Sequence, residues 1–185
     1  MPNSNPEDII IDTKSFVESE RSSEVKLNAN GGNAILIVCE PIREMEFITA
    51  INKLFRDSDY LIIDLNKLLM EFVEKHKSSL KDTFEQLQSS FNEIFKAPPF
   101  EESEDLYRII IKEILESIDS AKVPVLINAG ALYGTGIECI HIMENEKIMT
   151  ASRPIIILYP STKEPDRLMF LSKRPASKYR CMVIS

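Results

Sequence analysis

Apolar residues follow one another along this chain in two rhythms. Short continuous runs, Ala34 to Cys39 (AILIVC), Tyr60 to Leu65 (YLIIDL), the run opening at Val123 (VPVLI) and Arg153 to Pro160 (RPIIILYP), alternate with longer stretches where apolar positions recur every three or four residues. A short unbroken apolar run reads as a strand buried on both faces, hence a central parallel strand. The 3.6-residue rhythm reads as an amphipathic helix. Helices are expected over 6–20, 44–56, 66–95, 101–120 and 137–148. Asn5, Pro6, Glu7 and Asp8 supply a cap, a preset φ and first-turn acids for the first. The third is one helix or two with a break near Ser78-Ser79, ended by Pro98-Pro99. The fourth carries Leu106, Ile110, Ile114 and Ile118 as an i, i+4 stripe beside Tyr107, Ile111 and Leu115.

The remaining segments complete the plan. The polar stretch 21–33 ends in Asn-Gly-Gly-Asn and reads as a flexible surface linker. Two short strands, Leu168 to Leu171 and Tyr179 to Ile184, flank the connection SKRPASK. That link is too short for a parallel crossover, so an antiparallel hairpin is expected, with the strand at Arg153 closed by Pro160. The predicted architecture is a three-layer α/β sandwich with a mostly parallel central sheet and an antiparallel C-terminal edge hairpin. Residues 1–33 form an N-terminal helix and linker, and 34–185 a single domain.

Composition narrows the function classes. With 185 residues the chain can bury a core without disulfides or metals, and its net charge of -7 argues against non-specific nucleic-acid binding. No apolar run reaches membrane-spanning length, and MPNSNPEDII has neither a basic nor an apolar leader region, so a cytoplasmic location is expected. Cys39, Cys139 and Cys181 are widely spaced with only His76 and His141 beside them, which disfavours a zinc site. Charge is uneven: 101–119 holds seven acids against two bases, and 153–185 seven bases against two acids. These two stretches are the candidate partner surfaces, with Tyr107 and Tyr179 as aromatic anchors and Lys173, Arg174, Lys178 and Arg180 as the basic set.

Candidate chemistry gathers where the run from Val123 meets a glycine turn, Gly130-Ala-Leu-Tyr-Gly134-Thr-Gly136, which holds three of the chain's five glycines. The carboxyl edge of an open α/β sheet is where sites are built. Yet this turn is neither GxxxxGK[ST] nor GxGxxG, and no lysine follows to reach a terminal phosphate, so ATP and GTP binding is not expected. Glu40, Asp64 and Asn128 fall at the carboxyl ends of predicted strands. They read either as Mg²⁺ ligands of a phosphoryl-transfer or hydrolase site, or as caps of the following loops and helices. Cys39 reads as a core residue.

The strand entering GALYG at Gly130 to Gly134, the strand PIIILYP at Pro154 to Pro160, DRLMFL at Asp166 to Leu171 and the closing KYRCMVI at Lys178 to Ile184 carry a likeness to a known family. In order and spacing the chain resembles BrxB, a small protein of BREX bacteriophage-defence systems, over about residues 120 to 185. The IDLNKLL stretch at Ile63 to Leu69 agrees as well. The matching positions are Gly130, Leu132, Tyr133 and Gly134 in the turn, and Tyr159, Pro160, Arg167, Leu168, Tyr179 and Arg180 in the C-terminal strands. Ala131 stands where the family has serine, and Ser161 where it has glycine. The resemblance implies a non-enzymatic accessory protein without a cofactor, associating with PglZ, a protein with an alkaline-phosphatase-like domain.

Overall fold

The computed structural model describes residues 5–19, 24–56, 58–101, 103–165, 167–176 and 180–185. Lys178 and Tyr179, both singled out above, lie outside them. The first half runs α1 (Pro6–Glu18), α2 (Glu24–Asn28), β1 (Ala34–Cys39), α3 (Glu44–Leu54), β2 (Tyr60–Asp64) and α4 (Leu65–Leu87). The second half runs α5 (Leu106–Asp119), β3 (Val123–Ile127), α6 (Cys139–Met143), α7 (Glu146–Thr150), β4 (Ile155–Glu164), β5 (Arg167–Phe170), β6 (Arg174–Pro175) and β7 (Met182–Ile184).

The expected α/β fold with a mostly parallel central sheet flanked by helices is present. Strand order is β2-β3-β4-β1-β7, and every pair on that path is parallel. Parity along the strands divides the core. Ala34, Leu36, Leu126, Ile155, Ile157 and Tyr159 face a layer containing α4, α5, α6 and α7, while Ile35, Ile37, Val125, Ile156 and Leu158 face α1 and α3. All six residues of β1 and all five of β3 are buried, as expected of strands covered on both faces.

Three expectations are corrected. The closing strand does not pair with the segment at Leu168: β7 lies parallel beside β1, Ile35 opposite Met182 and Ile37 opposite Ile184. The antiparallel C-terminal edge is instead β4–β5–β6, with Ser161 opposite Phe170 and Met169 opposite Pro175. Nor does Pro160 end its strand, because β4 continues to Glu164. The Pro160 carbonyl accepts from Leu171 N at 2.9 Å, on the side away from β1. A residue's N–H and C=O point the same way in a strand, so the missing proline N–H removes no β1–β4 bond.

The third correction concerns 24–33, where the sequence predicts a flexible linker. Val25, Ala29 and Asn33 are buried there, and the Asn33 side-chain amide reaches the carbonyls of Ile148 (3.0 Å), Ala151 (3.1 Å) and Arg153 (2.9 Å). Short polar segments read as linkers because a single buried amide leaves no periodic signal. Two helix limits also shift. The fourth helix begins at Leu106 because Asp105 caps it, accepting from Arg108 N (2.7 Å) and tying down Ala97 N (2.9 Å). The stretch expected as one helix over 137–148 is α6 and α7, separated at Asn145, whose side chain accepts from Lys147 N.

Candidate functional site

Two places compete for the role of site, and the glycine turn is the first. At the end of β3 Asn128 takes a left-handed conformation (φ 59°), and residues 129–132 form a 3-10 turn. Gly134 (φ +90°) and Gly136 (φ +78°) then reverse the chain. Thr135 locks the reversal: its hydroxyl donates to Leu132 O (2.8 Å) and accepts from Ile137 N (3.1 Å). The expected strand-to-turn-to-helix transition is thus resolved into a 3-10 turn, a glycine reversal and only then α6.

The chain itself fills the space beside this turn. A Cβ built on Gly130 would meet Leu171 Cδ2 at 3.3 Å, and one on Gly136 would meet Asn92 Cβ at 2.9 Å. Tyr159, 2 % exposed, stacks on Phe170 with centroids 4.8 Å apart, and Arg174 bridges to Glu138 at 3.2 Å across the turn. The cavity left among Leu132, Tyr133, Cys139, Tyr159 and Phe170 is about 10 Å³, roughly room for a water and too small for a nucleotide. Of the resemblance's turn residues, Leu132 is buried and Tyr133 stands exposed. Of those on the later strands, Arg167 is paired with Glu164 (2.8 Å), Leu168 is half-buried and Arg180 is exposed.

The carboxylate cluster comes together only in part. Asn128 Nδ2 donates to Asp64 Oδ1 at 2.8 Å, and the same oxygen accepts from Asn66 N (2.9 Å) and Lys67 N (3.2 Å). Asp64 is therefore the cap of α4, joined to the turn through Asn128. Glu40 does not join them. It follows β1, which β4 and β3 separate from β2, a span of roughly 14 Å at about 4.8 Å per strand. Among the described residues no group of three His, Cys, Asp or Glu side chains could hold a metal ion.

Burial also governs the other polar groups near the sheet ends. Desolvation, with Glu44 adding to it, pushes the Cys39 thiol up to about 12, and desolvation does the same for Cys139. Neither offers a thiolate at neutral pH. Burial holds Glu44 above the usual carboxylate range. The His141 imidazole is held below its ordinary value by burial first and by Lys96 second, and its Nδ1 accepts from Glu138 N at 3.0 Å.

The second place is an open groove of about 790 Å³ along the outer side of α5. Tyr107, Ile111 and Leu115 line it at i, i+4 and i+8 of α5, together with Pro98, Pro99, Asn145 and Lys147. Tyr107 is not an exposed aromatic as expected. It is half-buried, its hydroxyl donates to His141 O (2.9 Å), and Asn145 Nδ2 lies 3.4 Å from the same oxygen. Above its ring, 5.5 Å from the centroid, sits Lys96 Nζ. Desolvation lowers the Lys96 pKa against the opposing pull of Glu138 and Asp105.

The acidic look of 101–119 in sequence is misleading at the groove. Asp105 is buried and bonded to Arg108, and Glu116 lies 3.8 Å from Lys112. Sequence reasoning found Tyr107 but missed Lys96, Pro98, Pro99, Asn145 and Lys147 as its neighbours. The available signal was a second apolar stripe on a helix already supplied with one, which leaves more apolar width than a single packed face uses. No family model, curated protein or solved structure matches the chain.

Proposed function

We propose that the protein is a non-enzymatic adaptor that binds a larger protein, and that the partner is the PglZ-like protein of the same phage-defence system, as the resemblance to BrxB implies. The observation that carries this reading is the contrast in open space. The carboxyl edge of the sheet around the glycine turn, where α/β enzymes seat their substrates, is plugged by β5, β6 and Leu171. An open recess of about 790 Å³ lies on α5, lined by a hydrogen-bonded tyrosine, aliphatic side chains and prolines. An aromatic and aliphatic floor with charges at its margin is what protein contacts use, since buried anchors supply affinity and charged rims guide encounter.

The basic C-terminal surface contributes less than its sequence suggests. Arg174 is paired with Glu138, and Lys173 is exposed in the β5–β6 turn. Its role in the adaptor is encounter rather than anchoring, so Lys173→Glu slows association at low salt and leaves the dissociation rate unchanged. The test is co-expression with the PglZ-like protein encoded beside this gene, followed by size-exclusion chromatography and turnover assays on the pure chain. Co-elution and absence of nucleotide or phosphodiester hydrolysis support the adaptor. Separate elution at tens of micromolar, or turnover lost with Asp64→Ala, sinks it.

A further inference from the structure

Resting on the adaptor reading, the geometry points to the kind of segment that docks: we propose that the α5 groove accepts an amphipathic helix from the partner, with apolar residues at i, i+4 and i+7 and acidic residues grouped at one end. The floor sets the shape. Fourteen residues of α5 span about 21 Å, and the groove follows them from Asp105 to Asp119. A compact metabolite would leave most of that length empty, whereas a helix of equal length would cover it in the helix-in-groove manner.

Charge sets the polarity. At the Tyr107 end stand Lys96 and Lys147, and among the described residues neither makes an ion pair. Lys96 is half-buried over an aromatic ring, where its ammonium has lost part of its hydration. A carboxylate arriving there replaces lost hydration with a charge-assisted bond. The other cations of the groove are already taken, Arg108 by Asp105 and Lys112 by Glu116. At the far end the exposed acids are Asp119 and Glu116, the latter 3.8 Å from Lys112, and together they repel an acid and accept a base. The docked helix therefore lies with its acidic end over Lys96 and Lys147.

The test selects displayed random 16-residue peptides on the immobilised full chain, with Lys96→Glu and Leu115→Glu as separate variants, each checked by circular dichroism. Both positions are partly exposed, and the circular dichroism check identifies which variants are folded and can be read. The expected result is enrichment of peptides with acids next to helically spaced apolar residues. Their affinity falls at least tenfold on either variant, and Ile42→Glu, at an exposed position outside the groove, leaves it unchanged. Enrichment of basic peptides, no enrichment, or binding to both variants as tight as to wild type overturns the proposal. So does self-association of the wild type that Leu115→Glu abolishes, which would give the groove to a second copy. Co-purification separates the two readings. If the PglZ-like protein co-elutes equally with wild type and both variants, the groove proposal fails and the adaptor stands. If groove-specific peptides are selected but the PglZ-like protein elutes apart, the adaptor's named partner fails and the groove stands.

Discussion

The glycine turn after β3 and the groove on α5 carry opposite relations between sequence signal and open space. The turn is loud in sequence, with three glycines in seven residues, and nearly solid in structure, with about 10 Å³ left beside it. The groove is quiet in sequence, a helix with one extra apolar stripe, and holds about 790 Å³. Glycine marks a place where something comes close to the backbone. Here that something is Leu171 and Asn92 of the same chain. A glycine turn at the carboxyl edge thus becomes evidence for a ligand only after the protein's own side chains have been excluded as the close neighbour.

The largest expected effect breaks the solid side of this comparison. Tyr159→Ala removes a ring that is 2 % exposed and stacked on Phe170, and the loss should be about 3–5 kcal/mol of unfolding free energy by urea titration. A loss below about 1 kcal/mol would mean that the space beside the turn is not tightly packed. The next effect separates two glycines of the same turn. Gly136→Ala combines φ +78° with a Cβ 2.9 Å from Asn92 Cβ and should cost about 2–3 kcal/mol. Gly134→Ala has φ +90° but open space around it, and should cost about 1 kcal/mol. Equal costs would show that backbone conformation alone, not the close neighbour, selects glycine at 136.

Smaller again is the capping effect. Asp64→Ala removes the acceptor for Asn66 N, Lys67 N and Asn128 Nδ2, and should lower stability by about 1–2 kcal/mol. Millimolar magnesium should leave the wild-type melting temperature unchanged, since a group that caps a helix gains nothing from the ion. A magnesium-dependent rise in Tm that Asp64→Ala abolishes would restore the metal-ligand reading.

What the sequence made legible follows the same division. Strands covered on both faces announce themselves, because no polar residue interrupts them: β1 and β3 stand where AILIVC and VPVLI predict, and they are parallel. The cap at Asn5 is equally local, accepting from Glu7 N at 3.2 Å. The position of β7 was not legible. Three apolar residues after a polar loop fit either edge of the sheet, and the deciding contact is remote: a Cβ at Gly32 would collide with the Arg180 carbonyl, so the glycine before β1 admits the approach to β7. Asp64 and Asn128 were legible as a pair of strand ends, and their hydrogen bond follows from β2 and β3 being neighbours. Glu40 was not separable from them without the strand order. Lys96 was invisible as a site residue, since its partner ring is eleven positions away across the Pro98-Pro99 turn.

The smallest stability effect sharpens the open side of the comparison. Lys96 is partly buried over Tyr107 without an ion pair among the described residues, and burial lowers its pKa below the usual lysine value. The folded state therefore holds its proton less tightly than the unfolded chain. Between the folded and unfolded pKa values the unfolded state binds more protons, so this residue makes stability rise with pH there. Below both values the charge is carried in full in the less favourable environment. Lys96→Met keeps the apolar stem on the ring and deletes the charge, so at pH 7 stability should change by no more than about 0.5 kcal/mol, in the stabilising direction. Because the side chain is only partly buried, solvent screening keeps the effect small. The advantage of Lys96→Met over wild type should narrow as pH is raised from 8 towards 11, read by urea denaturation at each pH. A destabilised variant, or an advantage that widens with pH, would mean that Lys96 is tied into the fold by a favourable charge contact. A groove residue whose removal costs the fold nothing and costs partner binding at least tenfold is held there by binding, and Tyr159, with the reverse pattern, is held by the fold.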